Sequence, residues 1–209
     1  MSIQNLTRKV LPVRSSSSKL NTEYIKSMPE MVLSRQISGG DGRVVHVNML
    51  ESKTARILPG GIHTIYTDAL ASCNSVGVVM KDKENNPVVV LSHFLPYSTD
   101  RQSASVGSEI QKHLNIIDTD KKAKIFYNVP AYEDEGILKP CVNNIFEKIR
   151  TVIGNIFNKN FEEQIMLYKS KNRPPFFSSA NIFQFDTENR NLLKITSAGE
   201  QEHFIDLSV

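Results

Sequence analysis

The chain is 209 residues long, 40% hydrophobic and 22% charged, with a net charge of +3, the composition of an ordinary globular domain large enough to bury a substantial core. No apolar run approaches the roughly 18 residues of a membrane-spanning helix, and the early basic residues are not followed by a hydrophobic stretch of signal-peptide length. The expectation is therefore a cytoplasmic protein with no membrane insertion, exported if at all by a route without a cleaved leader.

The charge is unevenly placed. Residues 1–45 hold seven Lys/Arg against three Asp/Glu, a balance of +4 that leaves −1 for the remainder. A basic tail on a near-neutral domain argues against a nucleic-acid surface on the domain itself. The two cysteines, Cys73 and Cys141, have no metal-ligand spacing, and reduced thiols are the default reading.

In chain order, residues 1–40 read as a flexible basic extension. They contain Ser15-Ser16-Ser17-Ser18 and little apolar periodicity beyond one short amphipathic piece at Tyr24–Leu33. Gly39-Gly40-Asp41-Gly42 is a turn that opens the folded region, residues 41–209. Arg43–Leu50 and Ile62–Thr67 then read as strands. Val76–Lys81 and Val88–Leu95 form a hairpin around the polar loop Asp82-Lys83-Glu84-Asn85-Asn86-Pro87.

Ser105–Leu114 predicts a short helix and Lys122–Asn128 a strand. Cys141–Phe157 carries Val142, Ile145, Phe146, Ile149, Val152, Ile153 and Ile156 on one side at helical spacing. Phe161–Lys169 predicts a strand, and Ile182–Phe185 with Leu192–Thr196 a closing hairpin. Strands outnumber helices and consecutive strands pair. The expected class is α+β, a largely antiparallel sheet or sandwich core flanked by helices.

Chemistry concentrates between residues 64 and 96. Ala69, Ala71, Ser72, Asn74 and Ser75 surround Cys73 with small or polar side chains just before an apolar strand. A cysteine there can begin a helix or cap a turn, where unpaired backbone N–H groups lower a thiol's pKa and can hold an oxyanion. Twenty residues on, across the hairpin, His93 stands in Ser92-His93-Phe94-Leu95-Pro96. Taken singly, a lone cysteine beside apolar residues is a small core residue, and a histidine ending an apolar run is a structural one.

The order of these residues resembles the CheD family of chemoreceptor glutamine deamidases. That family has a strand carrying Thr, a short Gly-Ser-Cys turn, an apolar strand ending in Asp, and a second strand with a His-x-x-Leu-Pro-like end. Here Thr67 precedes Ser72-Cys73, Val76-Gly77-Val78-Val79-Met80-Lys81-Asp82 follows, and Ser92-His93-Phe94-Leu95-Pro96 completes the set. The likeness is continuous over residues 60–100. It resumes weakly at Lys171-Asn172-Arg173 and at the terminal hairpin Phe185–Leu193. Ala71 replaces the family's glycine, Tyr127–Tyr132 stands where the family has Gly-Gly-Ala, and the N-terminal 40 residues are an addition.

The resemblance implies the fold shared with cytotoxic necrotizing factor deamidases and a site in which Cys73 is the nucleophile, His93 the general base and acid, and Thr67 the group orienting the imidazole. Thr64 and Ser92 are alternatives for the last role. It also implies a protein partner presenting a glutamine, and no metal or organic cofactor. Three other readings share this sequence: a host-directed effector, a non-catalytic binding module of the same fold, and transglutamination. His46, His63 and Cys141 read as structural, His113 and His203 as unpartnered, and Glu133-Asp134-Glu135 as a solvated loop. The oligomeric state is not fixed by the sequence.

Overall fold

The structure, a computed structural model, describes residues 44–58, 62, 64–70, 72–95, 100–140, 145–169, 179–185, 192–197 and 201–206, all within the compact unit Ile37–Val209. The readings at Tyr24–Leu33, Gly39–Gly42, His63, Cys141 and Lys171–Arg173 fall outside the described residues.

In chain order the elements are β1 (Val44–His46), β2 (Ser52–Arg56), β3 (Thr64–Leu70), β4 (Asn74–Lys81), β5 (Pro87–Phe94), α1 (Asp100–Gln111), β6 (Ala123–Asp134), β7 (Ile137–Pro140), α2 (Ile145–Ile156), β8 (Phe161–Lys169), β9 (Ser179–Phe185), β10 (Leu192–Ser197) and β11 (Gln201–Asp206). One sheet runs β1-β3-β9-β10-β11. The other runs β2-β5-β4-β6-β7, with β8 beside β6. The class is α+β and most of the pairing is antiparallel.

Two apolar layers explain why β4 and β5 are unbroken hydrophobic runs rather than alternating ones. Val79, Val89 and Leu91 point to the first sheet and meet Ile65, Phe183, Leu193 and Ile195. Val76, Val78, Met80, Val88, Val90 and Phe94 point the other way, onto Val106 and Ile110 of α1 and Ile149 and Ile153 of α2. The β2-β5-β4-β6 sheet is thus the middle of three layers. Burying one such aliphatic side chain contributes about 1.5–3 kcal/mol.

The hairpin loop is fixed by Asp82, whose Oδ1 accepts the backbone N–H groups of Glu84 at 2.9 Å and Asn86 at 2.7 Å. Helix α2 stops because Asn158 and Lys159 both adopt left-handed backbone (φ 47° and 63°). The N–H of Lys159 reaches back to the carbonyl of Gly154 at 2.9 Å, a C-cap that turns the chain into β8.

Several elements depart from expectation. Arg43–Leu50 is not one strand: β1 ends at His46 and the chain turns through Met49 and Leu50. β2, β7 and β11 are additional strands, and His203 lies in the last of them. Glu133 and Asp134 extend β6 rather than forming a loop. Their hairpin turns at Glu135-Gly136, both at positive φ (51° and 79°), as a two-residue loop demands. β8 pairs parallel to β6, and β1 parallel to β3; the helix α2 lies between β6 and β8 in the chain, the kind of crossover a parallel pair needs. No helix among the described residues is long and apolar enough to cross a membrane.

Candidate active site

Register decides which side chains share a face. β4 and β5 pair with Ser75 opposite His93, and β4 and β6 with Ser75 opposite Asn128. Side chains directly opposite point the same way, and so do residues two apart on a strand. His93, Ser75 and Asn128 therefore form a polar row facing the first sheet, all three buried. Cys73 stands just ahead of β4, two residues before Ser75, so an extended chain puts it on that face diagonal to His93.

Thr67 approaches from the opposite sheet. It shares the inward face of β3 with Ile65 and is fully buried. Its Oγ1 lies 2.9 Å from Nδ1 of His93 and donates its single hydrogen to the carbonyl of Val47 at 2.8 Å. A hydroxyl that has given its proton away can only accept at its other contact. Nδ1 of His93 must therefore carry a hydrogen, which leaves the lone pair of the neutral ring on Nε2. Val47 is itself held to β3, its N–H donating to the carbonyl of Tyr66 at 2.9 Å.

The ring is 3% exposed and Nε2 meets no hydrogen-bond partner among the described residues. Burial pushes the His93 pKa down to about 4, against an upward pull from Asp68. Cys73 is 8% exposed and forms no disulfide. Burial raises its thiol pKa, with a backbone hydrogen bond at Ser72 opposing. The resting pair at neutral pH is thus thiol and neutral imidazole. Of the two settings expected for Cys73, a helix start or a turn cap, the helix start does not hold, because Cys73 precedes a strand. No hydrogen bond joins the Cys73 sulfur to Nε2 in this state; such contacts often tighten only when substrate is bound.

The alternatives to Thr67 lie elsewhere. Ser92 faces the helical layer, where its hydroxyl donates to Ser52 at 2.7 Å and Ser52 in turn meets Ser105 of α1 at 2.7 Å. Thr64 sits three residues back along β3, paired with Val44 and Gln184. His46 is half-exposed, its Nε2 3.0 Å from Asp68 Oδ1 and its ring stacked on Tyr66. His113 lies in the turns after α1.

Two contributors had no signal in the sequence, because both act through backbone. They are the Val47 carbonyl and the Asn48–Glu51 turn, where the N–H of Leu50 donates to the carbonyl of His93 at 3.0 Å and the N–H of His93 to that of Glu51 at 3.1 Å. Among the described residues no three His, Cys, Asp or Glu side chains gather where they could hold a metal ion. No protein-family model matches the chain, and no curated protein matches it.

Proposed function

We propose that the chain is a cysteine-dependent protein-glutamine deamidase of CheD-like fold, with Cys73 as nucleophile, His93 as base and acid, and Thr67 orienting the ring. The observation that carries this reading is the Thr67–His93 hydrogen bond, which joins residues 26 positions apart across two sheets and leaves Nε2 as the basic nitrogen. The polar row on one buried face, and the order Thr, Cys, His along the chain, support it.

The chemistry follows from these groups. The Cys73 sulfur adds to the glutamine carboxamide carbon as its proton passes to Nε2 of His93. The imidazolium then returns that proton to the departing nitrogen, ammonia leaves, and a thioester remains. Water adds to the thioester with its proton going to Nε2. The carbon–sulfur bond breaks and the thiol recovers the proton. The sum is carboxamide plus water to carboxylic acid plus ammonia. Backbone N–H groups near Ser72–Asn74 would hold the oxyanion, worth about 3 kcal/mol per donor.

One observation favours a second reading. A thiol whose pKa is raised by burial suits a binding module that regulates a signalling partner by occupancy. Mass spectrometry of glutamine-containing candidate partners, chemoreceptors first, separates the two. A gain of about one dalton per site that disappears with Cys73→Ala supports the enzyme. Absence of that gain, with unaltered partner binding by Cys73→Ala, supports the module. A larger gain with an added amine would mean transglutamination.

A further inference from the structure

The hydrogen that Thr67 gives to the Val47 carbonyl, at 2.8 Å, decides which nitrogen of His93 is bare. With that carbonyl displaced, the hydroxyl would be free to donate to Nδ1, and the ring hydrogen would pass to Nε2. The neutral ring would then have no lone pair on Nε2. The position of Val47 is therefore part of the site, although its side chain is buried among apolar neighbours.

Little backbone pairing holds Val47 there. β1 is three residues long and, among the described residues, pairs with β3 alone. Its last rung sets His46 beside Tyr66, the Val47 N–H donates to the Tyr66 carbonyl at 2.9 Å, and the chain then leaves for the second sheet. On its other side β3 loses register with β9 between Thr67 and Leu70. Side chains alternate along β3, so Tyr66 and Asp68 fall on the outer face, behind Ile65 and Thr67. There the His46 ring stacks on Tyr66, centroids 4.7 Å apart at 18°, and its Nε2 donates to Asp68 Oδ1 at 3.0 Å. A carboxylate only accepts, so this nitrogen carries hydrogen whether the His46 ring is neutral or charged. The contact spans the point at which regular pairing stops on both sides of β3.

We propose that His46 and Asp68 are positioning residues: their contact holds the end of β1 so that Val47 takes the Thr67 hydrogen and His93 keeps a bare Nε2. That the bare nitrogen serves to take a proton from Cys73 rests on the deamidase reading; the tautomer itself does not. The linkage runs in series, from Asp68 to His46, along the chain to Val47, and through Thr67 to the ring. The His46 and Asp68 side chains are 40% and 37% exposed, so substituting them opens no cavity in the core. The Asp68 charge also favours the His93 imidazolium directly, and replacing the carboxylate by an amide separates that effect from the contact.

The test reads the His93 tautomer by nuclear magnetic resonance of the full chain, isotope-labelled at the histidine nitrogens, at neutral pH. The His93 signals are those lost in His93→Gln, and a bare ring nitrogen resonates far from one bearing hydrogen. Wild type should show hydrogen on Nδ1 alone. Asp68→Ala should show a second population with hydrogen on Nε2, the ratio of the two moved by about tenfold or more. His46→Phe, which keeps a ring to stack on Tyr66 but cannot hydrogen-bond, should do the same. Asp68→Asn should recover most of the wild-type spectrum, because its amide oxygen still accepts from His46. Added to Thr67→Val, Asp68→Ala should change the tautomer ratio no further, as steps in series require.

Hydrogen on Nδ1 alone in both Asp68→Ala and His46→Phe overturns the proposal. So does an Asp68→Asn spectrum as altered as that of Asp68→Ala, which would assign the effect to charge. A further shift on adding Asp68→Ala to Thr67→Val overturns it as well, since the route would then bypass Thr67. The expected tautomer changes, with no mass gain on glutamine-bearing chemoreceptors treated with wild type, would leave the positioning standing and remove the deamidase reading.

Discussion

Gly77 of β4 leaves the space between the two sheets that the Phe183 ring of β9 occupies. A Cβ on Gly77 would lie 2.0 Å from the tip of the Phe183 ring and under 3 Å from two more of its carbons. Phe183 is fully buried and packs edge-on against Phe126, so the ring must displace buried neighbours to make room. Gly77→Ala should therefore spread the sheets and cost about 1–3 kcal/mol, the usual range for overpacking. Urea unfolding would show it as a lower midpoint with an unchanged slope. A wild-type midpoint would refute the packing described.

The same spacing lets Thr67 reach His93, which makes Thr67 the next position to change. Thr67→Val preserves shape but removes both hydrogen bonds, leaving the Val47 carbonyl and the His93 Nδ1 hydrogen buried and unmet. A loss of about 1–3 kcal/mol in stability is expected, together with at least a tenfold or so drop in deamidation as the ring loses its fixed tautomer. Thr67→Ser should recover most of the rate, because serine restores the hydroxyl. Activity in Thr67→Val equal to wild type would show that the ring needs no such partner.

What could be read from the sequence was what depends on near neighbours. The β4–β5 hairpin was legible because two apolar runs flank a polar loop, and α2 because Phe146, Ile149 and Ile153 recur at helical spacing. β11 was not, since Gln201-Glu202-His203 opens it with three polar residues and only its place at the sheet edge makes it a strand. The parallel pairing of β8 with β6 is a tertiary choice without local signature. At the site, the hairpin reading set Cys73 just before one strand and His93 near the end of the next, but the bond from Thr67 arrives from another sheet. No periodicity encodes that. Thr67 was reached by resemblance, and its contact is visible only in three dimensions.

Burial of His93 makes stability depend on pH in a defined window. Its folded pKa is about 4, below the usual value of about 6.5 for the unfolded chain. The unfolded state thus binds the proton first, so this contribution is complete above about pH 6.5 and is lost as pH falls toward 4, by on the order of 2 kcal/mol after solvent screening. Urea midpoints at pH 7 and pH 4.5 should differ more for wild type than for His93→Gln. Equal differences would mean that the ring titrates normally.

Asp82 offers a contrast, a buried carboxylate whose work is structural. It accepts the N–H groups of Glu84 and Asn86, and the Arg56 guanidinium bonds its other oxygen. Asp82→Ala should leave those donors unmet and cost about 2–4 kcal/mol. The loop it fixes is at the opposite end of β4 and β5 from Cys73. Iodoacetamide labelling of the folded variant at Cys73 should then follow the wild-type rate. A change in that rate would show that the two ends of the hairpin are coupled.

Burial holds the Cys73 pKa above its ordinary value, so alkylation of the resting protein should still be accelerating past about pH 8.5, where an exposed thiol is half ionised. His93→Gln should shift that profile little, since the ring is neutral and Nε2 makes no hydrogen bond among the described residues. A glutamine peptide held at the site would change this if it draws the sulfur and Nε2 together. The decisive comparison is the rate at which the carboxamide is attacked, measured near pH 7 where the thiol is protonated. There, proton removal by His93 becomes necessary, and His93→Gln should lower the rate by about 100-fold or more. A variant that deamidates as fast as wild type would show that the sulfur ionises without the imidazole.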